Sequence, residues 1–141
     1  MTMKRKIRYL MAVTLSGLGA TLAGCSDAGP KTYPVVGRVE VGGGPGLLAG
    51  HHVELTRADD PTARAAGVID EAGRFRVETL DRGRVTQGTR EGSYHARLVI
   101  GDEGDGRPKP KVPRRYLDFK TSGWSVQVPA AGDVTLTVAA K

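Results

Sequence analysis

The residues able to do chemistry in this chain are few: three histidines, scattered hydroxyls and carboxylates, and one cysteine. His51, His52, Glu54 and His95 are metal-ligand types, and strand alternation would put His52 and Glu54 on one outward face that His95 could join from a neighbouring strand. A zinc site needs more convergence than that. The sequence offers no cysteine pair and no His-x3-His spacing, so these residues read as surface or edge histidines. Ser93 and Ser122 have no Gly-x-Ser-x-Gly elbow around them, and no spacing sets either beside a histidine base. Asp102, Glu103 and Asp105 lack the Asp-x-Asp-x-Asp-Gly frame and distal Glu of a calcium loop. The glycine-rich stretch Gly42-Gly43-Gly44-Pro45-Gly46 is followed by no Gly-Lys-Ser/Thr and reads as a turn. The expectation is a protein with no catalytic set, no metal and no cofactor.

Cys25 is the single cysteine, so an intrachain disulfide is impossible and the thiol asks for another explanation. It closes the quartet Leu22-Ala23-Gly24-Cys25. Ahead of it lie a basic segment with Lys4, Arg5, Lys6 and Arg8, then an apolar run from Tyr9 to Leu22. Thr14, Ser16, Gly17, Gly19 and Thr21 interrupt that run, leaving it short of the ~20 apolar residues a membrane-spanning helix needs. The order of segments is that of a secretory signal.

The quartet resembles a bacterial lipobox at each of its positions. The resemblance implies that residues 1–24 form a signal peptide, removed between Gly24 and Cys25. Cys25 would then carry a thioether-linked diacylglycerol and an N-acyl group. One acyl chain holds a protein only marginally, whereas two or three, at roughly 0.8 kcal/mol per buried CH2, anchor it stably. Partnership with a membrane through Cys25 is thus expected, at the cell envelope after export across the inner membrane. Ser26 leans toward the outer membrane by the sorting rule of such lipoproteins, with the protein facing periplasm or cell surface.

The leader also accounts for most of the charge. Four of the 21 Lys and Arg residues precede Cys25 and none of the 15 acidic residues does, so the formal charge drops from +6 to about +2 on processing. A nucleic-acid partner is therefore not expected, because the basic footprint it needs is missing. One basic cluster remains: Arg107, Lys109, Lys111, Arg114 and Arg115, interleaved with prolines and ending at Tyr116. It reads either as a solvated loop with Tyr116 packed as a lid, or as a contact for an envelope protein, an anionic lipid or a polysaccharide.

Positioning falls to short strands. Residues 25–33 lack apolar periodicity and read as a flexible tether. Residues 34–141 then alternate apolar and polar in seven segments, 35–41, 51–57, 65–70, 73–80, 93–100, 124–128 and 133–138. The third and fourth read as a hairpin about Glu71-Ala72. Asp81–Gly92 reads as a loop, and 101–111 as the most mobile loop. Abundant glycine and few aromatics agree with short strands and many turns. The fold expected is a single all-β domain, a seven-stranded antiparallel β-sandwich, preceded by a signal-peptide helix and tether.

The same segments resemble the carboxypeptidase-regulatory-like domain, a transthyretin-like sandwich. Gly67-Val68-Ile69-Asp70-Glu71-Ala72-Gly73-Arg74-Phe75 is similar to its small residue followed by Thr-Asp-x-x-Gly-x-Phe, with Ile69 in place of Thr. Gly92-Ser93-Tyr94 matches its Gly-x-Tyr. Val112-Pro113-Arg114-Arg115-Tyr116 with Thr121-Ser122-Gly123 resembles the closing segment of small bacterial lipoproteins of this kind, Trp124 standing where Leu is usual. The resemblance implies a non-catalytic module for structure or protein interaction, or for carbohydrate or peptidoglycan binding. Stacking aromatics on the surface would favour the last of these. Alternation instead turns Trp124 inward with Val126 and Val128.

Overall fold

The computed structural model describes residues 29–101 and 109–139. The segment expected to be a signal peptide, Cys25 and most of the loop after Gly101 lie outside these residues. Nine strands are found among them: β1 (Val36–Val41), β2 (His52–Arg57), β3 (Arg64–Val68), β4 (Arg74–Arg76), β5 (Glu78–Asp81), β6 (Arg84–Gln87), β7 (Gly92–Val99), β8 (Ser125–Val128) and β9 (Val134–Val138). They form a six-stranded sheet, β6-β5-β3-β2-β7-β8, and a three-stranded sheet, β4-β1-β9. The all-β expectation holds. The expectation of seven strands, all antiparallel, is corrected to nine, with β1 and β9 running parallel from Gly37 opposite Val134 to Val41 opposite Val138.

Alternation explains which faces meet. Val35 and Val39 beside β4's Phe75 and β9's Leu136 and Val138 turn toward Val53, Leu55, Tyr94, Ala96, Leu98, Val126 and Val128 of the larger sheet, giving one shared core. Each of these is at most 6 % exposed, and each large side chain so buried contributes about 1.5–3 kcal/mol. Thr56, which alternation along β2 would turn outward with His52 and Glu54, is instead buried, its hydroxyl donating to the Pro61 carbonyl at 3.2 Å.

The extra strands come from chain segments that change partners. Asp70 closes the tight turn after β3: its carboxylate accepts from the Ala72 N–H at 2.9 Å and the Arg74 N–H at 2.8 Å, while Gly73 takes φ +74°. The strand after this turn is not one hairpin arm. Arg76 pairs with Val36 in the small sheet, whereas Glu78 pairs with Ala66 in the large one, so the chain crosses between sheets at the fully buried Val77. Gly67 permits the crossing, because a Cβ there would lie 2.5 Å from the Arg76 carbonyl oxygen. The stretch read as a loop from Asp81 to Gly92 holds β6 instead. Arg82 and Gly83, both at positive φ, form the two-residue turn whose twist suits a hairpin. At the other end of the chain the turn 129–132 also crosses between sheets, placing β8 beside β7 and β9 beside β1.

This topology gives the domain two poles. The chain enters at Tyr33, which exchanges backbone hydrogen bonds with Thr89 at 2.8 and 3.0 Å. Val41, eight residues on, lies about 26 Å away along an extended strand. Because β9 is parallel to β1, Val138 reaches that same far pole.

Candidate functional site

The segment that runs from Lys109 to Trp124 is held against the far pole by Tyr116. A single turn of 3-10 helix, Arg114–Leu117, follows Pro113 and buries the Tyr116 ring to 4 % exposure. The Tyr116 hydroxyl accepts from the Ala139 N–H at 3.0 Å and from Arg115 Nη2 at 2.6 Å. Arg115 also lies over the ring, 4.7 Å from its centroid. Trp124 stacks on Tyr116 at 4.8 Å and donates from Nε1 to the Thr137 carbonyl at 3.3 Å. Ser122 Oγ fixes the return, donating to the Ala96 carbonyl at 2.6 Å and accepting from the Trp124 N–H at 3.2 Å. The Ala139 N–H first, and the Arg115 guanidinium after it, favour the phenolate and hold the Tyr116 phenol below its ordinary value, against the opposing effect of burial.

Between this segment and the ends of β1 and β9 lies an open cleft of about 850 Å³. Val41, Gly42, Val112, Pro113, Val138 and Ala139 line it together with Lys111, Arg114 and Arg115. Among the described residues the arrangement is an apolar trough with three cations on its rim and no carboxylate in its lining. Such a site attracts an anion and desolvates whatever apolar group the anion carries.

Of the residues expected to contact a partner, Lys111, Arg114 and Arg115 are thus brought together at one cleft. Lys109 is exposed but does not line it. Tyr116 is buried beneath the others, packed as in the lid reading of this cluster. Arg107, Gly24 and Cys25 lie outside the described residues. What the sequence reading missed is the trough itself, since Val41 and Val138 are nearly a hundred residues apart in sequence and meet the basic run only through the parallel pairing of β1 and β9.

A second, larger cleft of about 1240 Å³ runs between the β5–β6 hairpin, the turn before β3 and residues 29–32. Its lining mixes Arg64, Arg82, Arg84 and Arg90 with Glu54, Asp60, Glu78 and Asp81. Much of that charge is already spoken for. Glu54, with its side chain only 16 % exposed, accepts from Arg97 at 2.6 and 2.7 Å and from Arg64 at 3.0 Å, and both guanidiniums lie over the Phe119 ring. Arg90 faces Asp81 at 3.7 Å.

The residues considered for catalysis do not converge. His95 stands opposite Thr56 and His52 opposite Val99, four residues apart along β2, while Ser93 donates to Gln127 Oε1 at 2.7 Å. His51 is buried, with Nδ1 lacking a hydrogen-bond partner. Among the described residues no three His, Cys, Asp or Glu side chains group closely enough to hold a metal ion, and no helix is long and apolar enough to cross a membrane. Set beside known proteins, the chain matches no family, no curated protein and no solved structure.

Proposed function

We propose that this chain is a lipoprotein of the bacterial cell envelope, anchored through acyl chains on Cys25, whose β-sandwich is a non-catalytic structural or protein-interaction module of the transthyretin-like kind. The observation that carries the reading is the single cysteine closing Leu22-Ala23-Gly24-Cys25 behind a basic segment and an apolar run. The start of the folded domain supports it. Among the described residues Tyr33 is the first to pair with another strand, at the end of the stretch 25–33 read as a tether between anchor and domain. Confinement by the anchor would raise the concentration of the domain at the membrane face, where a weak contact suffices to hold a partner.

Protein contact is favoured over sugar stacking by the state of the aromatic side chains among the described residues. Phe75, Tyr94 and Tyr116 are core, Trp124 stacks on Tyr116, Phe119 lies beneath two arginines, and Tyr33 beneath Lys31. None is left as an open platform. The test is fractionation of cells that express the chain or its Cys25→Ala variant. The native chain should sediment with membranes and partition into detergent, and the variant should leave that fraction while keeping its unfolding transition. Equal membrane retention of the two would defeat the proposal.

A further inference from the structure

We infer that the far-pole cleft is a docking site for an acidic peptide segment with apolar side chains, belonging to a protein that approaches from the side opposite the anchoring membrane. The direction rests on the lipoprotein reading above; the chemistry of the cleft does not. Lys111 and Arg114 have no ion-pair partner among the described residues, and Arg115 is held in place by the Tyr116 hydroxyl and ring. Three cations therefore stand over a floor of Val41, Val112, Pro113 and Val138, with no carboxylate among the described lining residues to neutralise them. The larger cleft differs on this point, because its arginines are interspersed with carboxylates and partly paired with them. An inorganic anion would leave the apolar floor wet, and a neutral apolar group would leave the cations unused. An acidic segment carrying valine or leucine satisfies both, at a rim where the guanidinium of Arg115 is already ordered.

The topology sets the side of approach. The chain enters the domain at Tyr33, and the cleft opens beside Val41 and Val138, about 26 Å along β1 from that entry. The tether from Cys25 to Tyr33 spans at most about 27 Å when fully extended. To turn the cleft squarely onto its own membrane, with the domain inverted, the tether would have to run taut along the whole domain, at a large cost in chain entropy. With a relaxed tether, the cleft faces away from the anchor.

The chain carries its own reporter. Trp124 is the single tryptophan and stacks on Tyr116, whose hydroxyl binds the cleft residues Arg115 and Ala139. The test titrates the full chain in detergent micelles with a dye-labelled heptapeptide of alternating glutamate and valine, free of aromatic residues. Anisotropy and Trp124 emission are followed in parallel. The expected result is saturable binding that weakens as salt is raised, and that weakens about tenfold or more in the Lys111→Glu/Arg114→Glu variant. Peptides with lysine in place of glutamate, or serine in place of valine, should bind markedly less.

Vesicles of phosphatidylglycerol and isolated peptidoglycan serve as the competing arms. Binding of either through the same two side chains, without peptide binding, would overturn the assignment, as would peptide binding indifferent to the charge reversal. Binding of the unanchored Cys25→Ala chain to phosphatidylglycerol vesicles that is lost on adding Lys111→Glu/Arg114→Glu would overturn the direction, because the cleft would then engage a membrane surface. The Cys25→Ala variant separates the two readings: it should leave the membrane yet bind the peptide as the native chain does.

Discussion

Replacing Tyr116 by Phe removes one oxygen from the support of the cleft and leaves the rest of the ring in place. The stack on Trp124 at 4.8 Å and the burial of the ring are retained, so the loss is confined to the hydrogen bonds of Oη. The Ala139 N–H at 3.0 Å loses a neutral acceptor, worth about 1 kcal/mol net. Arg115 loses a shorter contact at 2.6 Å, but it is exposed and water takes over, so this adds about 0.5 kcal/mol. A total near 1.5 kcal/mol should lower the unfolding midpoint by about 6–8 °C for a domain of this size. The assay is thermal and urea unfolding followed by Trp124 emission, whose folded baseline should be unchanged because the stack survives.

The same hydroxyl gives a pH signature. Its phenol titrates below the ordinary tyrosine value of about 10 in the fold, because the Ala139 N–H and Arg115 stabilise the phenolate. Linkage then requires the native chain to gain stability as pH rises through that lowered value, in full above about 10, and to lose the gain as pH falls back through it; near pH 7 there is none. The Phe variant should show no such alkaline gain, so the gap between the two proteins should widen with pH. A loss under about 0.3 kcal/mol, or a gap independent of pH, would refute this account of how the end of β9 is held.

Three further substitutions test the frame. Glu54→Gln should cost about 2 kcal/mol, because two arginines lose a largely desolvated carboxylate, and a double-mutant cycle with Arg97→Met should show coupling; additive losses would count against the cluster. Gly67→Ala should cost about 3 kcal/mol or prevent folding, since its Cβ would press on the Arg76 carbonyl where the chain changes sheets; a neutral outcome by urea unfolding would show that the crossing is loose. His51→Leu should stabilise by about 1 kcal/mol by deleting the unpartnered Nδ1 at similar volume, and a destabilised variant would mean that the imidazole is doing something its neighbours do not reveal.

The inward faces were legible in the sequence because burial on one side of a sheet imposes a period of two. Val53 and Leu55, Phe75 and Val77, and Val126 and Val128 all follow it, and all are buried. β6 was not legible for the same reason inverted. Each of its residues, Arg84 to Gln87, is exposed, so no apolar alternation marks it, and its only local signal is the Arg82-Gly83 turn. The crossing at Val77 was hidden because Phe75 and Val77 keep the alternation unbroken while their neighbours pair with different sheets. Thr56 escaped because a hydroxyl satisfied by a loop carbonyl can be buried at little cost. At the cleft, the basic run Lys111 to Arg115 could be read directly. Its apolar floor could not, since Val41 and Val138 are joined only by a parallel pairing between the first and last strands.

The anchor on Cys25 is tested most directly by the intact mass of the chain purified from membranes, with fragmentation of its first residues. The mature chain should begin at Cys25, with residues 1–24 gone and the first residue heavier by a diacylglycerol and an N-acyl group. A chain that begins elsewhere, or one whose Cys25 carries an unmodified thiol, would contradict it.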